Sequence, residues 1–301
     1  MENSAEVIIV GGGPAGLSCA LVLGRCRRKV LLFDTGQQRN KSTRAMHAFL
    51  SREGENPALF LATAKAELKK YGIRVNRQRI ISVQKNDDGF HLRSAEGNYF
   101  FSKKLVLATG LTDNLPPIKD IDKFYGKSVF HCPYCDGWEA RDKKWVVYAL
   151  RRQGAIEACL RFRDWTNDIT LLCAGVKGFS KKDRELLEKY GVKCVNNCAE
   201  KLIGKQGDLK AVILDNGERI EADYLFFSTG HQQQSDLASQ LGCNCSNTGA
   251  IHFNRKQQTN VPGLYAAGDV VRDMHLVIIA AAEGAKAAVA INTELNKELR
   301  V

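Results

Sequence analysis

None of the apolar runs in this sequence reaches the ~18 residues that a membrane span needs. The basic-then-apolar arrangement of a secretory leader is also missing, since MENSAEVIIVGGG carries two acids and no basic residue before or within its apolar run. No membrane partner is expected, and the expected location is the cytoplasm. Proline is scarce, at 6 of 301 residues, and there is no low-complexity tract or internal repeat, which excludes disordered-linker and solenoid classes. Aromatics make up only 8% and do not interleave with basic runs such as RCRRK at 25–29. That run reads as a solvated helix end, and no nucleic-acid partner is expected.

What is present is charge and cysteine. The formal net charge is +11, and its excess lies in the first third, where residues 1–116 carry 18 Lys and Arg against 10 Asp and Glu. Ten cysteines without an export signal imply reduced thiols, so a disulfide here is expected to be catalytic. A chain of 301 residues has room for one or two domains.

The stretch EVIIVGGGPAGLSCALVLGRCRRKVLLFDTG reads as a βαβ unit: an apolar strand over Val7–Val10, a glycine turn, an Ala/Leu-rich helix, and a second strand over Val30–Phe33 ended by Asp34. In the turn GGGPAG, Gly11 allows the tight bend, Gly13 lets backbone approach a pyrophosphate, and Gly16 lets helix and strand pack closely. Pro14 and Ala15 complete the loop. The helix N-terminus faces phosphates, and an acid such as Asp34 takes ribose hydroxyls. Two distant strand-then-glycine stretches accompany it: KKLVLATG at 103–110, ending in Thr109 and Gly110, and VPGLYAAGDV at 261–270, with Gly268 and Asp269.

Between these segments lies HCPYCDGW at 131–138, with Cys132 and Cys135 two residues apart and Asp136 immediately after. A Cys-x-x-Cys at a helix start suits thiol–disulfide exchange, and Pro133 is compatible with a first helical turn. A zinc site needs two more ligands, and Cys194/Cys198 and Cys243/Cys245 lack the usual spacing, so no metal is expected. CPYC is also the active-site tetrapeptide of glutaredoxins, but there it follows the first strand of a small domain, which is not its context here. His47, His131, Phe130, Tyr134 and Trp138 read as packing or hydrogen-bonding residues.

In this order and over essentially the whole chain, the motifs resemble the low-molecular-weight thioredoxin reductase family. The resemblance implies an α/β fold of two doubly wound dinucleotide-binding-like domains, the second inserted in the first. It implies an FAD domain from residues 1–115 and 243–301, and a central domain from 116–242 carrying the cysteines. It implies a homodimer and a thioredoxin-like protein or small disulfide as substrate. It also implies that Asp269 hydrogen-bonds the ribityl chain, that the helix near LVIIAAAEGAKAA points its N-terminus at the flavin ring, and that Cys135 faces the flavin. Cys132 then attacks the substrate disulfide, and Asp136 protonates the departing thiolate. The segment QRNKSTRAMHAFLSREG, which holds His47, resembles one found in non-typical members.

The central domain departs from the family. Its strand WVVYAL leads into ALRRQGAIEACLRF, so Leu150 and Arg152 stand where two glycines belong, and CAGVKG replaces the basic run that holds a 2′-phosphate. A side chain at the second glycine blocks backbone approach to a pyrophosphate. NADPH is therefore not expected to bind in the usual way. Arg151 and Arg152 remain candidates for the phosphates of a second flavin or dinucleotide. The basic first third favours an acidic donor such as ferredoxin. Dithiol oxidation by oxygen and a non-catalytic flavin sensor are the alternatives.

Overall fold

The computed structural model describes residues 3–271 and 274–299, and the chain divides into two compact units. One takes residues 1–41, 48–112 and 231–301; the other takes 42–47 and 113–230.

The first unit opens with β1 (Ser4–Val10), α1 (Pro14–Arg25) and β2 (Val30–Phe33), with β1 and β2 parallel and in register from Val7↔Val30 to Val10↔Phe33. Val7, Ile8 and Ile9 are fully buried, because helices and strands cover both faces of a parallel sheet and no face is left for polar alternation. α2 (Pro57–Lys69) starts at Asn56, whose side-chain oxygen accepts from the N–H groups of Ala58 and Leu59, with Pro57 in the first turn. β3 (Val75–Asn76) extends the sheet beyond β2, while β4 (Ile80–Lys85), β5 (Phe90–Ser94) and β6 (Tyr99–Leu107) form an antiparallel meander. β6 also runs parallel to β1, from Ser4↔Phe101 to Val10↔Leu107. β7 (Leu111–Asp113) then leads the chain out.

In the second unit a 3-10 turn at Ile121–Lys123 precedes β8 (Val129–Phe130), α3 (Pro133–Asp136), β9 (Trp145–Ala149), α4 (Arg152–Phe162), β10 (Ile169–Leu172), α5 (Lys181–Lys189) and β11 (Val192–Val195). An antiparallel sheet of β12 (Ala199–Lys205), β13 (Asp208–Leu214) and β14 (Arg219–Glu221) follows, and β15 (Tyr224–Ser228) completes the parallel sheet in the order β11-β10-β9-β15-β8. Trp145 anchors this core: it is 1% exposed, stacks on Phe226 at 4.1 Å, and donates its indole N–H to the Ala140 carbonyl at 2.8 Å.

The chain returns to the first unit through β16 (His231–Gln233), α6 (Leu237–Gln240), β17 (Leu264–Ala266), which lies parallel to β6, and α7 (Val277–Glu298). α7 packs on α1 through small residues: a Cβ at Gly284 would fall 1.9 Å from the Ala15 carbonyl oxygen.

The α/β architecture with parallel sheets is as expected. The expected boundaries are corrected at two places. Residues 231–242 belong to the first unit rather than the central one, because Leu237 and Ala238 are buried in the core formed by Ile8, Phe33 and Leu105. Residues 42–47 are grouped with the second unit, and Ser42 lies against Gly126, where an added Cβ would come within 2.9 Å of the serine Cβ. Among the described residues no helix is long and apolar enough to cross a membrane.

Candidate active site

In the first unit the glycine turn, Asp34, Thr109–Gly110 and Gly268–Asp269 meet at the C-terminal ends of β1, β2, β6 and β17. Gly11 has φ +114°, and an added Cβ would lie 2.0 Å from the Ala108 carbonyl oxygen and 3.0 Å from the Thr109 nitrogen. Gly16 is as constrained, its Cβ falling 1.8 Å from the Gly11 oxygen. Gly13 differs: nothing lies within 4 Å of its Cβ position. It is the N-cap of α1 and makes no side-chain cap, and Pro14, which has no N–H, begins the first turn. Steric need therefore explains Gly11 and Gly16, while the open space at Gly13 leaves room for a group approaching the backbone and the helix N-terminus.

Asp34 is 8% exposed and well held: Lys65 Nζ lies 2.7 Å from its Oδ2, Gln38 donates to both oxygens, and the Gly36 N–H donates at 3.0 Å. Beside it opens a cavity of about 510 Å³ lined in part by Lys65, Arg74, Val75 and Arg77. Gly268 has φ +82° and donates its N–H to Glu283 Oε2 at 2.7 Å, and Asp269 pairs with Arg39 at 3.0 Å. Arg39 also contacts His275 Nδ1 at 3.1 Å. Lys65 comes from α2, outside the sequence motifs, while Arg39 and Glu283 lie in segments noted in the sequence whose pattern gave no sign of these contacts.

In the second unit Cys132 and Cys135 are joined as a disulfide with Cα atoms 5.3 Å apart, and both are half-buried. α3 after Cys132 is a single turn, shorter than a helix able to build a macrodipole. Its local contribution is a Cys135 N–H donated to Cys132 Sγ at 3.2 Å. Gly137 closes the turn, where any Cβ would meet the Pro133 oxygen at 2.4 Å and the Trp165 ring at 2.9 Å.

Loss of solvation pushes the half-buried Asp136 carboxyl up to about 7; the nearby His47 charge pulls it down and Glu139 pushes it up. His47 Nδ1 lies 3.7 Å from Glu139 Oε1. The packing or hydrogen-bonding role read for His47 is thus joined by a place in the electrostatic surroundings of Asp136. His131 lies 3.6 Å from Asp113, a carboxylate that also accepts from Tyr125. Phe130 is core, as expected, but Tyr134 and Trp138 are not: they are 57% and 66% exposed, with the Arg141 guanidinium 4.0 Å over the Trp138 ring.

The strand-to-helix turn after β9 is occupied by the protein itself. The Leu150 carbonyl accepts from Lys177 N–H at 3.0 Å, its N–H donates to Ser228 at 3.4 Å, and Arg151 bridges Lys177. Arg152 does not reach into the turn. Its guanidinium forms a two-pronged pair with Asp183, which also accepts from the Ser180 N–H and hydroxyl in the capping box of α5, and whose carboxyl is held far below the usual range. This corrects the reading of Arg152 as a phosphate ligand.

The sequence pattern of the family described as pyridine nucleotide-disulphide oxidoreductase matches residues 5–284. Thioredoxin reductase tcpT of Claviceps purpurea is 31% identical over 89% of this chain and 87% of its own length. Among solved structures, a putative thioredoxin reductase TrxB from Bacillus anthracis superposes with a TM-score of 0.93 at 29% identity, over 98% of this chain and 99% of its own. HlmI superposes at 0.91 with 33% identity, over 99% and 94%. The chain belongs to the pyridine nucleotide-disulphide oxidoreductase family, is one of its thioredoxin-reductase-like, FAD-binding members, and is a flavin disulfide oxidoreductase.

Proposed function

We propose that this protein exchanges electrons between FAD and a protein or small-molecule disulfide through Cys132 and Cys135, and that its electron donor is not NADPH. Support for the cysteine pair is that it already forms a disulfide next to an acid whose carboxyl titrates near neutrality. The FAD site is assigned to Gly11, Gly13, Pro14, Ala15, Gly16, Asp34, Thr109, Gly110, Gly268 and Asp269. The open space at Gly13 and the cavity at Asp34 fit a dinucleotide. When bound, FAD takes up or releases an electron pair. Cys135 is the cysteine that exchanges with it, Cys132 forms the mixed disulfide with substrate, and Asp136 carries the proton for the departing thiolate.

The observation that carries the donor reading is the turn after β9. Two glycines are replaced, the Leu150 backbone is held by Lys177 and Ser228, and Arg152 is already paired with Asp183, so side chains stand where a pyrophosphate would approach the turn. An acidic protein donor such as ferredoxin accords with the net charge of +11. A second reading, oxidation of a substrate dithiol with oxygen as the final acceptor, is favoured by the same closed turn, because that direction requires no donor site. Similarity to thioredoxin reductases supports a thioredoxin-like disulfide partner and a homodimer.

The test is anaerobic mixing with NADPH while flavin absorbance is followed, then turnover with reduced ferredoxin and oxidised thioredoxin, or with a dithiol and oxygen. Slow or absent bleaching by NADPH is expected, and rapid bleaching at micromolar NADPH overturns the donor reading. Cys135→Ser is expected to abolish electron transfer between flavin and substrate, and unaltered turnover removes the cysteine assignment.

A further inference from the structure

Asp34 follows β2 with its side chain buried, and the protein's own groups reach both of its carboxylate oxygens. Oδ1 accepts from the Gly36 N–H at 3.0 Å and from Gln38 Nε2 at 3.2 Å. Oδ2 accepts from Lys65 Nζ at 2.7 Å and from the same Gln38 nitrogen at 3.2 Å. An ionised carboxylate offers about four lone-pair positions, and these four contacts occupy them. A ribose that bonds Asp34 through its hydroxyls therefore has to displace a donor.

The three donors differ in how readily they leave. The Gly36 N–H is backbone, fixed in a bend with φ +74° two residues after the acid. Lys65 lies within α2, and its contact is the shortest of the four and joins opposite charges. Gln38 is neutral, half-buried in the segment after β2, and divides one nitrogen between two acceptors at the longer distance. Its amide spans both oxygens, as the two hydroxyls of a ribose diol would. The cavity of about 510 Å³ is lined in part by Asp34, Thr35, Gly36 and Lys65, so a nucleoside entering it meets this carboxylate.

Resting on the assignment of FAD to this site, we propose that Gln38 holds the place of the adenosine ribose and gives up both contacts when FAD binds, while Lys65 stays as the positioning residue for Asp34. Gln38 then weakens FAD binding, because its hydrogen bonds must be broken first. Lys65 strengthens it, because it fixes the carboxylate that accepts from the ribose. The two side chains touch the same acid, yet removing them has opposite consequences. A merely structural role for both gives losses of the same sign.

The experiment strips FAD from the full-length protein and titrates it back while flavin fluorescence is followed, for wild type, Gln38→Ala, Lys65→Met, Lys65→Arg and Asp34→Ala. Gln38→Ala is expected to lower Kd about fivefold, Lys65→Met to raise it about tenfold, and Lys65→Arg to stay within about threefold of wild type. ADP, which carries the ribose and pyrophosphate but no flavin, should show the same two opposite shifts in competition with FAD. Circular dichroism establishes that the variants are folded. Gln38→Ala removes no charged partner, so it tests the displacement even where Lys65→Met does not fold. Weaker or unchanged FAD binding in Gln38→Ala overturns the displacement, and unchanged binding in Lys65→Met overturns the positioning role. Wild-type affinity in Asp34→Ala removes FAD from this site and the proposal with it, whereas lost affinity there without the opposite shifts overturns the proposal alone.

Discussion

Asp136 is the residue whose environment most directly sets a measurable property. With its carboxyl titrating at about 7 instead of near 3.8, it is protonated below neutral pH and can donate to a departing thiolate; above that it can only accept. The pH profile of thiol–disulfide turnover is expected to show an inflection near pH 7 that is lost in Asp136→Asn. Because the His47 charge lowers the Asp136 value, His47→Asn should move that inflection to higher pH. An unmoved inflection would remove His47 from the site. The stability sign follows from linkage: between about pH 4 and 7 the folded state holds a proton that the unfolded chain has released, so this group's contribution falls as pH rises through that window. Asp183 acts oppositely, its lowered value contributing stability that is lost in acid. In wild type the Asp183 contribution should be visible as a fall in thermal midpoint on acidification that is smaller in Asp183→Asn.

At the scale of elements, the glycine turn separates steric need from ligand need. Gly16→Ala and Gly284→Ala place a methyl group under 2 Å from a carbonyl oxygen at the α1–β1 and α1–α7 contacts, which no side-chain rotation relieves. Each is expected to cost about 3 kcal/mol, read as a fall in the thermal midpoint of the flavin-free protein. Gly13→Ala meets no atom within 4 Å. It should leave that midpoint nearly unchanged while weakening FAD binding, as measured by flavin retained after dialysis. Equal losses of stability in all three variants would argue that Gly13 has no ligand-facing role. In the second unit the corresponding element has been rebuilt: the turn after β9 is closed by Lys177, and α4 is tied to α5 through Arg152 and Asp183.

For the whole molecule the relevant quantity is charge. With a net +11, most of the excess in residues 1–116, association with an acidic protein donor should be steered electrostatically. The apparent kcat/KM with reduced ferredoxin is therefore expected to fall as salt rises from about 50 to 300 mM, since screening shortens the Debye length below about 10 Å. Turnover with a small uncharged dithiol and oxygen should be much less sensitive. Salt-independent turnover with ferredoxin would remove charge steering from the account.

The βαβ unit, the later glycine stretches and the Cys-x-x-Cys-Asp run were legible in the sequence because each is a local pattern: an apolar strand, a turn that admits only glycine, and a spacing that permits ring closure. The absent glycines at Leu150 and Arg152 were legible for the same reason. The sequence could not show where a side chain goes once the chain has crossed between units. Spacing alone does not reveal that Arg152 turns to Asp183 or that Arg39 reaches Asp269 across 230 positions. Nor does it assign residues 231–242, which lie within the first unit, or 42–47, grouped with the second. Those outcomes depend on which strands lie side by side and on how buried charges find partners, and packing of distant segments decides both.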